Sequence, residues 1–586
     1  MESKEEKPNE ENKNTKEQEE IKIEPLKPEE KFSFNFDETD SCKTKYGILP
    51  FIQSQGDPEH RNQVNFEKIK DIDDSFVDKD VHIRARLQRS RIKGKGGFIV
   101  LREQLFTIQG CLFVAEGVVS KKMIDFVGAL HLECLVDVKG HVKKAMKPIE
   151  SCTQKTVELD ILEIYLVSDS VPVLPFQMED ASRKVNPLLE EDDYVEEKPK
   201  EEPKEEKKEL IKEEKKDEQS KEENKDEKCE KKKKDKKNKK EKKEKKENKE
   251  KGEKKDIIVK MKTRLDNRVL DLRVPTTAAI FKLQAGVCHL FREYLDNLGF
   301  IEIHTPKLIG GASEGGANVF KFDYFGQNAC LAQSPQLYKQ MCIIGDFKRV
   351  YEIGAVFRAE KSFTSRHLCE FTGLDLEMEI KEHFFEVLDV IGGLFHFIFD
   401  QLNARYKAEL DVINNQYPFE PIVHGKDVLK IKWQDGVKIL EENGFKQGIN
   451  DDLETDNEKA LGKIVKEKYG TDFFILYGYP ASARPFYTMP DPKDEKFTNS
   501  WDAFIRGEEV TSGAQRIHDY DLLLKKIKEK EINPATLADY LNAFKLGSPA
   551  HGGTGIGLER VVKLFVGLGN VKKCVLFPRD PKRLKP

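Results

Sequence analysis

The sequence holds two tryptophans in 586 residues, no paired Cys-x-x-Cys and no Cys/His cluster at zinc-ligand spacing. Its ten cysteines, at 42, 111, 134, 152, 229, 288, 330, 342, 369 and 574, are scattered. That pattern argues against a disulfide framework and against structural zinc, and predicts reduced thiols in a cytosolic protein. The longest apolar stretch, near residues 388–399, is too short and too interrupted to span a bilayer, so no membrane partner is expected. The N-terminus opens Met-Glu-Ser-Lys-Glu-Glu, without the apolar core of a secretory signal or the acid-poor, arginine-rich character of a transit peptide. A cytoplasmic location is the expectation.

Charge is abundant but uneven. Residues 1–30 and 191–256 hold 70 of the 207 charged side chains, and the remaining 490 residues are 28% charged, an ordinary globular value. Outside those two segments Lys+Arg number 68 and Asp+Glu 69, so net charge says little about partners and local patterning must decide. Residues 1–31 and 191–256 cannot bury enough apolar surface to offset the entropy of ordering, which predicts a disordered extension and a low-complexity linker. The linker is polarised: 191–220 carries fourteen acids against eight lysines, and 221–256 carries nineteen lysines against twelve acids.

Between them, Val81, Ile83, Ala85 and Leu87 alternate with polar residues at the period of a half-buried strand. Further strand-like runs lie at 98–102, 105–113, 132–138 and 157–166, with a helix-like stretch over 120–130 between the third and fourth. Five strands with a helix in that place predict an OB-type barrel, with another small all-β domain as the alternative. The predicted division is a lead-in segment at 32–66, the barrel at 67–180, a hinge and linker at 181–259, and a large domain at 260–586. That domain opens on an amphipathic helix over 278–298, stopped by Gly299 and followed by a strand over 300–306 ending in Pro306. Runs at 350–358 and 370–379 read as a long hairpin. Strands following strands, without Gly-rich βα turns, predict a mixed α/β (α+β) domain on an antiparallel sheet flanked by helices, and exclude a Rossmann or P-loop fold.

Three segments carry chemistry. The hairpin holds Phe357-Arg-Ala-Glu360, Arg366-His367 and Glu370-Phe-Thr-Gly-Leu-Asp-Leu-Glu377. The stretch from Asp502 to Arg516 places Glu508, Glu509 and Ser512 at strand-like spacing. Near the C-terminus, Gly553-Thr-Gly-Ile-Gly-Leu-Glu-Arg560 lets backbone approach a ligand and puts an arginine in the first turn of a helix. An isolated Arg-x-Glu is usually a surface ion pair, and an isolated glycine run a tight turn.

Together, and in this order, they resemble motifs 1 to 3 of the class II aminoacyl-tRNA synthetases, in the form of the aspartyl branch of subclass IIb. Tyr46-Gly-Ile-Leu-Pro50, Glu179-Asp-Ala-Ser-Arg183, Ser313-Glu-Gly-Gly316, Ala332-Gln-Ser-Pro-Gln-Leu-Tyr-Lys339 and the ending Phe577-Pro-Arg-Asp580 extend the likeness over nearly all of 46–586 outside the linker. The resemblance implies an ATP-dependent ligase that activates aspartate and transfers it to tRNA(Asp), with Mg²⁺ as metal. It places Arg358 on the α-phosphate and Arg560 near the γ-phosphate and adenine as the catalytic pair. Glu360, Arg366, His367, Phe371, Glu509 and Gly557 complete the ATP site, and Asp502 and Glu509 are the metal ligands. Ser313, Glu314, Gln336, Lys339, Asp375, Glu377, Ser512 and Arg516 surround aspartate, with Lys339 and Arg516 on its side-chain carboxylate. In the barrel, Arg91, Phe98, Gln109 and Glu158 face the anticodon.

The resemblance further implies a homodimer built on motif 1, and leaves membership of a larger synthetase assembly open. Two departures stand out: the segment after Arg91 is one residue shorter than the familiar loop, and the motif 2 loop reads Lys361-Ser-Phe-Thr-Ser365. The alternatives are an asparaginyl or lysyl enzyme, against which Lys339 and Arg516 speak, and a non-catalytic RNA-binding relative, expected to lack Arg358, Glu509 or Arg560.

Overall fold

The computed structural model describes residues 27, 31–49, 64–185, 258–310 and 319–585. The expectations for 1–26, for 191–256 and for Ser313 and Glu314 lie outside the described residues. The chain divides into two compact units, Met1–Pro175 and Phe176–Pro586, so the break falls a few residues before the boundary expected from sequence.

In the first unit the alternation at 81–87 becomes the long strand Asp80–Lys93, with Val81, Ile83, Ala85 and Leu87 buried. Antiparallel pairing joins it to Gly96–Glu103, then to Phe106–Phe113. Val157–Ser168 adds in parallel, Leu135–Lys144 pairs with it antiparallel, and that strand returns to Asp80–Lys93. Five strands thus close on themselves as an OB-like barrel, leaving no free edge among them. Helix Lys121–Ala129 lies where the sequence pattern put it. Ser120 accepts the Met123 N–H at its start, and Met123, Ile124, Phe126 and Val127 enter the barrel core. A sixth strand, Tyr46–Ile48, was not foreseen; it runs parallel to Ile164–Leu166. It belongs to the lead-in segment, whose Phe32, Phe34 and Tyr46 rings gather at 5.3–5.7 Å around Phe126.

The second unit is organised on an eight-stranded sheet. Its order is Leu429–Lys432, Phe473–Tyr477, Ser500–Ile505, Glu508–Gln515, His551–Gly557, Glu370–Glu379, Arg349–Phe357 and Ile301–Glu302. The pairing is antiparallel through the centre and parallel at the two outermost pairs. Helix Pro275–Asn297 starts with proline at a position that needs no N–H and packs on helices Phe385–Arg405 and Leu558–Phe565. Gly299, at φ +76°, turns the chain out of it. The strand expected over 300–306 shrinks to Ile301–Glu302. Thr305 leaves the ladder to bond the Glu352 carboxylate through its hydroxyl at 2.7 Å, and Pro306 has no N–H to offer. Hairpin 500–515 turns at Arg506-Gly507, both at positive φ, the backbone that a two-residue turn between twisted strands requires.

Candidate active site

Three central strands of the large sheet place the sequence motifs side by side. Glu370–Glu379 pairs with His551–Gly557, which pairs with Glu508–Gln515, so Asp375 lies opposite Gly555 and Gly555 opposite Ser512. The glycines make this possible. A Cβ on Gly553 would come within 2.1 Å of the Leu376 carbonyl, and one on Gly513 within 2.5 Å of Trp501 Nε1. Over these strands opens a cavity of 430 Å³.

Its wall contains Arg358, Glu360, Arg366, His367, Phe371, Glu509, Gly557 and Arg560 at one end and Gln336, Asp375, Ser512 and Arg516 at the other. The Arg358 guanidinium sits 5.5 Å over the Phe371 ring and 4.0 Å from Glu360, with its Nε unbonded. Arg560, in the first turn of its helix, donates to the Glu509 carbonyl at 3.0 Å. His367 bonds Thr364 at 2.7 Å; burial lowers its pKa against the pull of Glu360, so the imidazole is neutral at pH 7. Burial and the Asp502 carboxylate push Glu509 up to about 7, with Arg560 opposing.

Arg366 is more committed than its assignment to ATP implies. It reaches Glu458 at 2.6 Å and Glu508 at 3.3 Å, and Lys563 holds the other side of Glu508 at 2.8 Å.

At the other end, Arg516 is buried and grips Glu377 through Nε and Nη2 at 2.9 and 3.1 Å, while Nη2 also reaches the Gly553 carbonyl at 2.8 Å. Its Nη1 has no protein partner among the described residues. Burial alone would raise Glu377; Arg516 and Lys339 overcome it and hold the carboxyl below its usual range. Lys339 is placed differently from expectation. It is fully buried, donates to Asp375 at 2.9 Å and to the Thr554 carbonyl at 3.1 Å, and is absent from the cavity wall, as is Glu377. The reason is electrostatic: a buried ammonium needs acceptors, and Asp375 and Glu377 supply them. Asp375, which does line the cavity, accepts from the buried Lys339 behind it.

Asp502 also departs from the picture of an open metal ligand, since both its oxygens accept from Arg484, at 2.9 and 2.7 Å. Arg484 is the main residue that sequence reasoning missed. It donates to Ser512 as well, at 2.8 Å, and lies 3.9 Å over the Tyr479 ring. It directly follows the short 3₁₀ helix Ala481–Ala483, too brief for any periodicity to mark a side chain as inward. Its one signal was proximity to Pro485, which implies a turn and nothing about charge. Among the described residues no group of three or more His, Cys, Asp or Glu is arranged to hold a metal ion. Two carboxylates with hard oxygens still fit Mg²⁺, which ordinarily takes one or two protein acids together with substrate phosphates. Glu509 carries its raised pKa chiefly because it is buried, with the Asp502 carboxylate adding to the effect.

On the barrel, Phe98 is 43% exposed on the outer face, with Arg91 its cross-strand neighbour. Gln109 donates to Glu158 at 2.9 Å on the same face. The side chains expected at the anticodon are therefore surface groups of one sheet region, and Phe98 is not a core residue.

Residues 260–581 match the family model of class II tRNA synthetases (D, K and N). The chain belongs to this family. The class II chain is 45% identical over 550 residues to the cytoplasmic aspartate–tRNA ligase of Caenorhabditis elegans, covering 94% of this chain and 92% of the relative. It is 44% identical to the cytoplasmic aspartate–tRNA ligase of Homo sapiens, covering 93% and 96%. Among solved structures, the aspartyl tRNA synthetase from Entamoeba histolytica superposes with a TM-score of 0.78 at 38% identity, over 96% of this chain and 100% of that one. The asparaginyl-tRNA synthetase from Pyrococcus horikoshii, complexed with asparaginyl-adenylate, gives 0.67 at 25%, over 89% and 100%. Among the described residues of this synthetase no helix is long and apolar enough to cross a membrane.

Proposed function

We infer that the protein is an aspartate–tRNA ligase. It joins L-aspartate to the α-phosphate of ATP as aspartyl-adenylate with release of pyrophosphate, then passes the aspartyl group to the terminal ribose of tRNA(Asp). The observation that carries the choice of amino acid is Arg516, a buried guanidinium in the cavity wall with Nη1 still available. A substrate carboxylate completes its hydrogen bonding, a lysine side chain would be repelled, and asparagine would bring no charge.

The chemistry needs positive charge on phosphates more than it needs a base, because the attacking carboxylate is already ionised. Arg358, just past the end of strand Arg349–Phe357, and Arg560, in the first turn of helix Leu558–Phe565, supply that charge from the cavity wall, and the Phe371 ring offers a face for adenine. Asp375 receives the substrate ammonium, exchanging part of its bond to Lys339 for it. Glu509 and Asp502 are the residues that would hold Mg²⁺, and the ion would supply neutralisation of phosphate charge. Phe98, Gln109 and Glu158 read the anticodon, by stacking and by hydrogen bonds to base edges. The enzyme works in the cytoplasm as a homodimer through the motif 1 segment, whose edge strand Ile301–Glu302 leaves Ile301 exposed.

Amino-acid-dependent ATP–pyrophosphate exchange across the twenty amino acids tests the reading. Aspartate alone is expected to support exchange. Exchange driven by asparagine or lysine would transfer the assignment to that branch, and exchange with none would leave a non-catalytic RNA-binding protein.

A further inference from the structure

Strands Gly96–Glu103 and Phe106–Phe113 alternate between barrel interior and surface. Ile99, Leu101, Ile108 and Leu112 enter the core, which turns Phe98 and Phe113 to the outer face. There Phe98 is 43% exposed and Phe113 51%. A lone exposed phenylalanine requires no explanation, but these two touch, with ring centroids 5.4 Å apart and planes at 81°. The contact depends on Gly96: a Cβ there would come within 2.5 Å of Phe113 Cδ1, so the Phe113 ring occupies the space a side chain would take. Beside the pair, Arg91, Lys93 and Lys95 are exposed, the two lysines at the turn between strands. The acids on this face are engaged, Glu158 by Gln109 at 2.9 Å and Asp160 by Lys143 at 2.7 Å.

We propose that Phe113 is a second RNA-stacking residue, forming with Phe98 a right-angled aromatic corner that takes two unstacked bases of a single-stranded loop. The inference rests on reading the barrel as the anticodon-binding unit and adds a contact which that reading did not contain. Flat apolar rings flanked by cations are the composition that binds single-stranded nucleic acid: the cations meet phosphates, and the rings accept any base. The angle between the rings narrows the ligand further. Bases in a helical stack are parallel, so two perpendicular rings cannot both cap one continuous stack. The strand must turn between the two bases, as a loop does and a duplex does not.

The test uses the full chain and a tRNA(Asp) transcript, with binding measured at one fixed salt concentration. Phe113→Ala is expected to raise Kd about fivefold or more, the lower end of what loss of one stacked base produces. Phe113→Leu keeps the apolar bulk without a π face and is expected to weaken binding to a similar extent, while Phe113→Trp retains it. An acceptor minihelix lacking the anticodon loop should not distinguish these variants. If Phe98→Ala weakens tRNA binding but Phe113→Ala and Phe113→Leu do not, the second stacking residue is refuted and the anticodon reading stands. If none of the three weakens it, the anticodon reading falls and takes the inference with it. Equal weakening of tRNA and minihelix binding would trace the effect to general charge or folding and overturn the proposal.

Discussion

Arg484 and Glu559 show how much of the cavity is decided by buried charge. Arg484 is the partner of both Asp502 oxygens, and Asp502 stands near Glu509, so removing the guanidinium leaves two buried carboxylates facing each other. Arg484→Met is expected to lower stability by about 3–5 kcal/mol, the usual cost of breaking a buried pair from one side. Adding Asp502→Asn should recover most of that loss, because it removes the orphaned charge; denaturant midpoints of the single and double variants check it. Glu559 is buried and accepts the Thr372 N–H with both oxygens, at 3.0 and 3.1 Å. Burial pushes its carboxyl up from 4.5 to about 7. The folded state therefore binds its proton more tightly than the unfolded chain, and the stability so gained is full below pH 4.5 and lost as pH rises to 7. The shift corresponds to about 3 kcal/mol. Glu559→Gln keeps an acceptor for Thr372 and removes the titration, so its stability relative to the parent should climb between pH 4.5 and 7 and level off above. A difference that stays flat across that window would refute the assignment. Glu559 was visible in the sequence only as part of a motif, and Arg484 not at all. A charge's role depends on which other charges the fold brings within 3 Å, and periodicity carries no such information.

At the scale of elements, legibility followed the regularity of side-chain alternation. Strand Asp80–Lys93, helix Lys121–Ala129 with its Ser120 cap, helix Pro275–Asn297 and hairpin 349–379 lie within a few residues of where spacing put them, because each buries one face on a fixed period. Residues 300–306 misled for the opposite reason. They are apolar enough to read as a strand, yet the sheet uses only Ile301–Glu302, and the path of the next residues is fixed by the Thr305–Glu352 bond. Strand Tyr46–Ile48 was missed because three residues do not show a period. The glycine-rich strand His551–Gly557 was legible as a place where backbone comes close, and the geometry names the neighbour. Gly553→Ala would drive a Cβ to 2.1 Å from the Leu376 carbonyl and 2.3 Å from Glu377 Oε2. Backbone cannot swing aside as a flexible side chain can, so the three central strands must separate. The expected result is a loss of about 1–3 kcal/mol or more and displacement of the Glu377–Arg516 pair, read as a lowered melting temperature together with a raised KM for aspartate. Gly557→Ala is the control, since its Cβ would meet only Arg560 Cβ at 3.6 Å. Equal destabilisation by the two variants would show that lost backbone freedom, and not the clash, is responsible.

For the whole molecule, attraction to tRNA has to come from where charge is placed, since outside 1–30 and 191–256 cations and acids balance at 68 against 69. Neutral surfaces with local cation clusters give contacts but little long-range pull. The surplus in this chain lies in 221–256, where nineteen lysines face twelve acids, directly before the catalytic unit in sequence. Lysines meeting phosphates release counterions without reading bases, which adds a term to affinity that weakens as salt rises. Deleting 221–255 removes all nineteen of those lysines. It is expected to leave aspartate-dependent exchange unchanged, to raise the KM for tRNA, and to flatten the dependence of tRNA binding on salt. The acidic stretch 191–220 should act in the opposite sense, because its fourteen acids compete with phosphates for the same lysines; deleting it should strengthen non-specific RNA binding and steepen the salt dependence. Interleaved acids can also neutralise the lysines within the segment, in which case the linker is only a spacer. Salt-titrated tRNA binding by both deletion variants separates the two, and parallel slopes for the variants and the intact chain would leave the spacer as the answer.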